Sequence, residues 1–328
     1  MQVLITGGAG LLGARLARKL LERETLSDIH GIQKPIERIT LLDIVPATGF
    51  DDPRVDAATG DIADAHVIER FLTPQTSAIF HLAAIVSGQA EADFDLGMRI
   101  NFDATRMILE RARQNGNRPR VVFTSSVAVF GGELPAQVLD TTALMPQSSY
   151  GAQKVMGELM VNDYSRKGFI DGRALRMPTV CVRPGAPNKA ASSFASGIIR
   201  EPLNGVEAVC PVAPGTPMWV ASPRLAIDHL IHGHEVEESR FGSSRALSLP
   251  GLATNVTDMV VALERVAGKD VAARIRWEVD PAIVKIVNSW PGNFATARAD
   301  AMGFQQDHDF DSIIKAYIDD ELDGAIPA

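Results

Sequence analysis

The chain has too little of several things to belong to some large classes of protein. Cysteine occurs twice in 328 residues, as Cys181 and Cys210, which is too few for a disulfide framework and fits a reducing cytoplasm. No apolar run reaches the length of a membrane span, and the first residues lead straight into a strand pattern, so no signal peptide is expected. Lysine occurs eight times and never in a basic run, and the net charge is −8. That argues against a nucleic-acid partner and against a membrane surface, and an anionic ligand would need a local pocket of cations or hydrogen-bond donors. His81 has no second His or Cys at ligand spacing, so it reads as a packed, hydrogen-bonded histidine, and no metal is expected. Repeats of fixed period and low-complexity tails are also missing.

What is present is an ordinary globular mixture, 46% apolar and 22% charged, long enough for one large α/β domain with a smaller appendage. Tyrosine is rare, with three in the chain, so its placement carries information. In Ser148-Ser149-Tyr150-Gly151-Ala152-Gln153-Lys154 a phenol and an ammonium stand one helical turn apart on one face. A phenol becomes a useful base at neutral pH only if a nearby cation favours the phenolate; Lys154 is that cation, and together with the positive ring of a bound cofactor it is expected to supply the lowering. Chance alone places such a pair in about one chain in fourteen of this composition, so its weight depends on what accompanies it.

Two other stretches accompany it. Thr6-Gly7-Gly8-Ala9-Gly10-Leu11-Leu12-Gly13 follows the apolar run Val3-Leu4-Ile5 and opens an amphipathic helical pattern. In a strand–turn–helix unit of this kind Gly7 permits the tight turn and Gly10 lets backbone approach a pyrophosphate. Gly13 lets helix and strand pack closely, and the helix N-terminus at Leu11 and Leu12 faces the anion. The second stretch, Val121 to Ser126, is a buried-type strand that ends in hydroxyls, and strand ends in such sheets face the ligand crevice. Asp43 ends the strand Arg38–Asp43 and is the acid expected on the adenosine ribose. It lies thirty residues past Gly13 where about twenty is usual, because the polar stretch 25–37 intervenes, and Asp28 in that loop is its rival. The apolar strand from Ala78 ends in Leu82-Ala83-Ala84, small enough for a cofactor to lie against the backbone.

Together these residues resemble the extended short-chain dehydrogenase/reductase family, whose TGxxGxxG, strand-end Ser and YxxxK elements recur here in order over most of the chain. Within it, Ser125 to Gly132, Ser148 to Lys154, Asp163 to Phe169 and Arg183 to Asn188 are similar to the branch that oxidises the C2 hydroxyl of the four-carbon sugar acid D-erythronate with NAD. The resemblance implies a doubly wound parallel (Rossmann) sheet with NAD at the carboxyl ends of its strands. It implies Tyr150 as the base, Lys154 on the nicotinamide ribose, and Ser126 on the substrate oxygen in preference to Ser125. It also places Asp61 and Ile62 near the adenine and Asn101 beside the catalytic cluster, where an ordinary core asparagine is the equal alternative. The helices Phe94 to Asn115 and Tyr150 to Lys167 are the pair through which many relatives form homodimers.

The strand 173–177, stopped by Pro178, should pass under the nicotinamide, with Pro178 against the cofactor and Thr179 against the substrate. Just beyond it, Arg183, Asn188, Ser192 and Ser193 could clamp a carboxylate, although Arg183 could instead tie down a loop through backbone carbonyls. Residues 1–183 are expected to form the NAD-binding domain. Residues 184–328 should supply a lid, between Pro184 and Pro223, and a substrate region whose elements interleave with the first domain. Two other functions fit the same motifs. One is a nucleotide-sugar epimerase or dehydratase, though Val127 and Ala128 stand where dehydratases carry an added acid pair. The other is a catalytically inactive NAD-sensing protein, which would commonly have lost the Tyr or the Lys.

Overall fold

Strand and helix alternate along the chain and build one parallel sheet. The computed structural model describes residues 1–327, and its main sheet has seven strands in the order Ala246–Ser248, Asp171–Met177, Arg120–Ser126, Thr76–His81, Gln2–Thr6, Arg38–Asp43, Val55–Thr59. All the pairings are parallel. The order reverses at Gln2–Thr6, whose neighbours are Arg38–Asp43 and Thr76–His81, and a crevice opens at such a point beyond the carboxyl ends of the strands.

Alternation decides which side chain goes to which face. Val3 and Ile5 pack with Leu16 and Leu20 of the helix Leu11–Arg23 and with Leu230 of the helix Pro223–Glu235. Leu4 points the other way, into a cluster with Ile79, Ile108 and Val161. Both faces are thus covered, as parallel sheets require. The helix carrying Tyr150 and Lys154 runs Ser149–Arg166, and Gly151 N–H donates to the Ser148 hydroxyl at 3.2 Å to close its first turn.

Three segments differ from their sequence reading. The polar stretch 25–37 contains a small antiparallel hairpin, Thr25–Ser27 with Gln33–Pro35, and the Asp28 carboxylate accepts from His30 and Ile32 N–H to close its turn. The single helix expected from Phe94 to Asn115 is broken into Phe94–Gly97, a π-helical turn Met98–Asp103, and Ala104–Asn115. The Asn101 side chain is held by the adjoining loop instead of by its own helix, and a π-turn accommodates that displacement.

The third difference is larger. Parts of the expected lid, residues 184–190 and the turns 204–207 and 213–215, are mostly exposed, but the rest is not. The helix Ser193–Leu203 and the strand Pro217–Ala221 belong to a second hydrophobic core, in which Ile198, Ile199, Met218 and Val220 meet Met259, Leu263 and Ile314. The chain between them and that core's last helix, Phe310–Glu321, returns to the main sheet to supply its edge strand Ala246–Ser248.

Candidate active site

A cavity of about 620 Å³ lies at the carboxyl ends of the strands, between the main sheet and the second core. At one end its wall is the glycine turn. Gly7 has φ +74°, and a Cβ there would stand 2.9 Å from Ala83 N; a Cβ at Gly13 would stand 2.2 Å from Gly7 O. Gly8, which the motif argument left without a role, is equally constrained, with Leu41 backbone 2.7 Å from its would-be Cβ. Gly10, Leu11 and Leu12 also line the cavity, at the N-terminus of a helix where the first N–H groups lack intrahelical acceptors.

Asp43 lines the same end, and its carboxylate accepts from Ala9 N–H at 3.1 Å and Ile44 N–H at 2.7 Å, which fixes it beside the turn. Asp28 is absent from this wall. Asp61 and Ile62 line it too, and the Asp61 carboxylate is already occupied by Arg99, at 2.7 Å, and by Ala63 N–H, at 2.8 Å. Leu82, Ala83, Ala84 and Pro178 complete this end. The glycine cradle that a Cβ would fill, with a carboxylate anchored at its rim, fits a dinucleotide.

Behind the wall, Asn101 makes three contacts: it accepts from Ile85 N–H at 2.7 Å and donates to Ile85 O at 3.0 Å and to Gln153 Oε1 at 2.7 Å. It does not reach the cavity. It ties the 82–86 loop to the Tyr150 helix, which is a supporting position. His81 is likewise internal, held between Thr6 Oγ1 at 2.7 Å and Thr105 Oγ1 at 2.8 Å, and burial pushes its pKa down to about 3, so the ring is neutral. Among the described residues no cluster of His, Cys, Asp and Glu could hold a metal ion, and no helix is long and apolar enough to cross a membrane.

In the middle of the cavity stand Ser126, Tyr150 and Lys154. Ser125 donates to Glu158 Oε1 at 2.5 Å and is buried, whereas Ser126 is less covered and its Oγ accepts only from Ala128 N–H, at 3.1 Å. The Lys154 ammonium donates to Thr124 O at 2.7 Å and lies 5.6 Å from the centre of the Tyr150 ring. Burial lowers its pKa to about 7, against the pull of Glu158. Burial also raises the Tyr150 phenol to about 12, with the Ser126 hydroxyl and the Arg183 guanidinium drawing it back. The lowering expected of Tyr150 comes from Lys154 together with a cofactor's positive ring; in the free protein burial outweighs the nearby groups and holds the phenol high. The site withdraws both groups from water, and near neutral pH a lysine so lowered is only partly charged.

At the far end are Thr179, Arg183, Asn188 and Ser192. Arg183 is the notable one. The side chain that ties down this segment is Arg200, whose Nη1 donates to Arg183 O at 2.8 Å and which is paired with Glu201. Among the described residues the Arg183 guanidinium has no ion pair, and its Nη2 is buried without a partner. Ser193 stays out of the cavity, its hydroxyl accepting from Asn188 N–H at 3.1 Å and so shaping the loop. One wall residue that sequence reasoning missed is Trp290, whose indole nitrogen is also buried and unpartnered. Nothing local in its sequence marks it.

The profile of the NAD dependent epimerase/dehydratase family matches residues 3–218. D-erythronate dehydrogenase from Cupriavidus necator is 57% identical over 320 residues, 98% of each chain, and its namesake from Haemophilus influenzae is 45% identical over 98% of this chain and 100% of its own. A solved structure described as a nucleoside-diphosphate-sugar epimerase from Agrobacterium tumefaciens superposes with a TM-score of 0.93 at 43% identity, covering 100% of this chain and 96% of its own. By the extent of these matches the chain is an NAD-dependent oxidoreductase belonging to the NAD dependent epimerase/dehydratase family.

Proposed function

We propose that the protein oxidises the C2 hydroxyl of D-erythronate to give 2-dehydro-D-erythronate, with Tyr150 as the base. The observation that carries this reading is Arg183: a guanidinium with no carboxylate of its own, in the cavity wall and close enough to the Tyr150 phenol to perturb it. Such a group favours a substrate with an anionic oxygen near the reacting carbon. The names of the two full-length relatives agree with it.

NAD would be held by the turn at Gly7 and Gly10, the first helical turn at Leu11 and Leu12, Asp43, and the 82–84 and 178 walls. When bound it accepts the hydride released from C2. The protein's own part is proton transfer and orientation. Ser126 donates a hydrogen bond to the C2 oxygen, and Tyr150 Oη receives its proton as the carbon–oxygen double bond forms. Tyr150 enters this step as its phenolate, and Lys154, in its charged form, stabilises that phenolate until the proton arrives. Arg183 holds the carboxylate, with Asn188, Ser192 and Thr179 available to the other hydroxyls.

A nucleotide-sugar epimerase is the second reading, favoured by the printed description of the Agrobacterium structure. Net NADH formation separates the two, because an epimerase returns its hydride. Supplied with NAD, the protein should accumulate NADH on D-erythronate and far less on erythritol or erythrose, which lack the carboxylate. Equal efficiency with the neutral polyol, or reaction only with nucleotide sugars and no NADH, overturns the proposal.

A further inference from the structure

Residues 184–192 put Asn188, Ala190 and Ser192 in the cavity wall, yet they have little of their own to hold them there. Their hydrogen bonds are mostly internal: Asn188 N–H donates to the Ser193 hydroxyl at 3.1 Å, Ala190 N–H to Asn188 Oδ1 at 3.0 Å, and Ser193 N–H to Ala190 O at 2.9 Å. Among the described residues, the one that reaches a distant part of the chain runs from Ala191 N–H to the Ser87 hydroxyl at 3.1 Å, and both residues are buried. Beside it, Gly88 lies so close to the segment that a Cβ there would stand 2.4 Å from Lys189 O. Gly88 lies inside a helix and has no positive φ, so what it supplies is room for one backbone to approach another.

Ser87 and Gly88 open the short helix Ser87–Ala92, which is fixed on its other sides. It continues directly from the wall 82–86, where Asn101 holds both the N–H and the carbonyl of Ile85. Ala90 is buried against Gly97, where a Cβ would come within 3.1 Å of the Ala90 side chain. Glu91 Oε2 accepts from Ser149 N–H at 2.9 Å, one residue ahead of Tyr150. The helix thus stands as a post between the cofactor wall, the start of the Tyr150 helix and the segment 188–192.

We infer that Ser87 and Gly88 are positioning residues, which fasten the segment 188–192 to the cofactor wall and, through Glu91, set its place relative to Tyr150. The assignment of that segment to the substrate's hydroxyls rests on the sugar-acid reading. Gly88 has no side chain to offer a substrate, so it acts only through the segment it holds. Asn101 secures the cofactor wall from behind, so loosening the post releases the substrate side alone. The hydroxyls concerned are shared by D-erythronate and erythritol, so acid and polyol should be weakened alike.

With NAD saturating, Gly88→Ala should raise KM for D-erythronate about ten- to thirtyfold, because the methyl has to displace the Lys189 backbone, and Ser87→Ala about three- to tenfold, for the acceptor lost by a buried N–H. In both, kcat and NAD affinity should stay within about threefold and the acid-over-polyol ratio of kcat/KM should not change. Ser87→Thr, which keeps the hydroxyl, should recover most of the loss, and the two Ser87 variants carry the same test if Gly88→Ala folds poorly. Limited trypsin digestion reads the post without substrate: cleavage after the exposed Lys189 should be at least about threefold faster in Gly88→Ala than in the parent. An unchanged KM in the Gly88 and Ser87 variants overturns the inference and leaves the sugar-acid reading standing. NAD affinity falling in step with substrate affinity also overturns it, because the helix would then support the whole site. A parent with no preference for the acid removes the sugar-acid reading instead, and the cleavage rates then decide whether Ser87 and Gly88 hold the segment.

Discussion

The two ends of the cavity are built on opposite principles. At the glycine end every charged group is already answered: Asp43 by two backbone N–H groups, Asp61 by Arg99 and Ala63. Its shape comes from missing side chains, since a Cβ at Gly7, Gly8 or Gly13 would collide with backbone. At the far end, Arg183 carries a buried donor without an acceptor. A buried unpaired donor costs about 1–3 kcal/mol, and that cost is recovered only when a ligand brings the acceptor. On the proposed reading, one end is preorganised for a large ligand whatever its partner, and the other discriminates among small ones. Tyr150, Lys154 and Ser126 stand between them.

The sharpest way to break this division is at its middle. Tyr150→Phe removes the proton acceptor and touches neither end, so turnover should fall about 10²- to 10⁴-fold while NAD affinity, measured by titration, stays near that of the parent. Ordinary turnover in this variant would mean that the cluster is not where the chemistry happens. Lys154 comes next. Its pKa is held at about 7 against an ordinary 10.5, so between those values the unfolded chain binds the proton and the folded one does not. The contribution to stability is fully present above the unfolded value and is lost as pH falls through the folded one. Lys154→Met removes this slope, so the melting temperature of the unaltered protein relative to the variant should climb from pH 7 to pH 10. A difference independent of pH would show that the ammonium is not desolvated in the fold.

At the glycine end, Asp43 sets a smaller effect. A carboxylate that accepts from ribose hydroxyls repels a 2′-phosphate, so NAD should be preferred over NADP, and Asp43→Ala should narrow the ratio of kcat/KM values. Comparable use of both cofactors by the unaltered protein would detach Asp43 from the ribose.

How much of this could be read from the chain follows the range of the interactions. The glycine turn and the Tyr150–Lys154 pair are set by spacing within one turn or one helix, so their positions were legible. Ser126 over Ser125 is chosen by resemblance; the chain alone does not show that Glu158, in a buried pair with Arg176, takes the Ser125 hydroxyl and leaves Ser126 the freer of the two. The rise of the Tyr150 pKa was illegible for the same reason, since burial depends on what covers the ring and not on its neighbour one turn away. The stretch from Pro184 misled because its composition resembles a loop, while Ile198 and Ile199 are buried by Met259 and Ile314, which arrive from far along the chain. Trp290 comes from still another segment, and no local pattern announces which aromatic will border a cavity.

The smallest effect tests whether burial, more than the presence of polar groups, makes the far end selective. Asn188 lines the cavity beside Arg183 but is exposed, and its Oδ1 already accepts from Ala190 N–H at 3.0 Å. Water competes for its free amide at little cost, so its contribution to holding a sugar-acid hydroxyl should be that of an ordinary neutral hydrogen bond. Asn188→Ala should then raise KM for D-erythronate by about two- to tenfold, less than Arg183→Lys, and leave the acid-over-polyol preference unchanged. The measurement is the pair of KM values with NAD saturating. If Asn188→Ala matched or exceeded the Arg183 variant, or abolished the preference for the acid, selectivity would reside in the exposed 184–190 loop and the contrast between the two ends would have to be drawn in terms of loop ordering instead of desolvated donors.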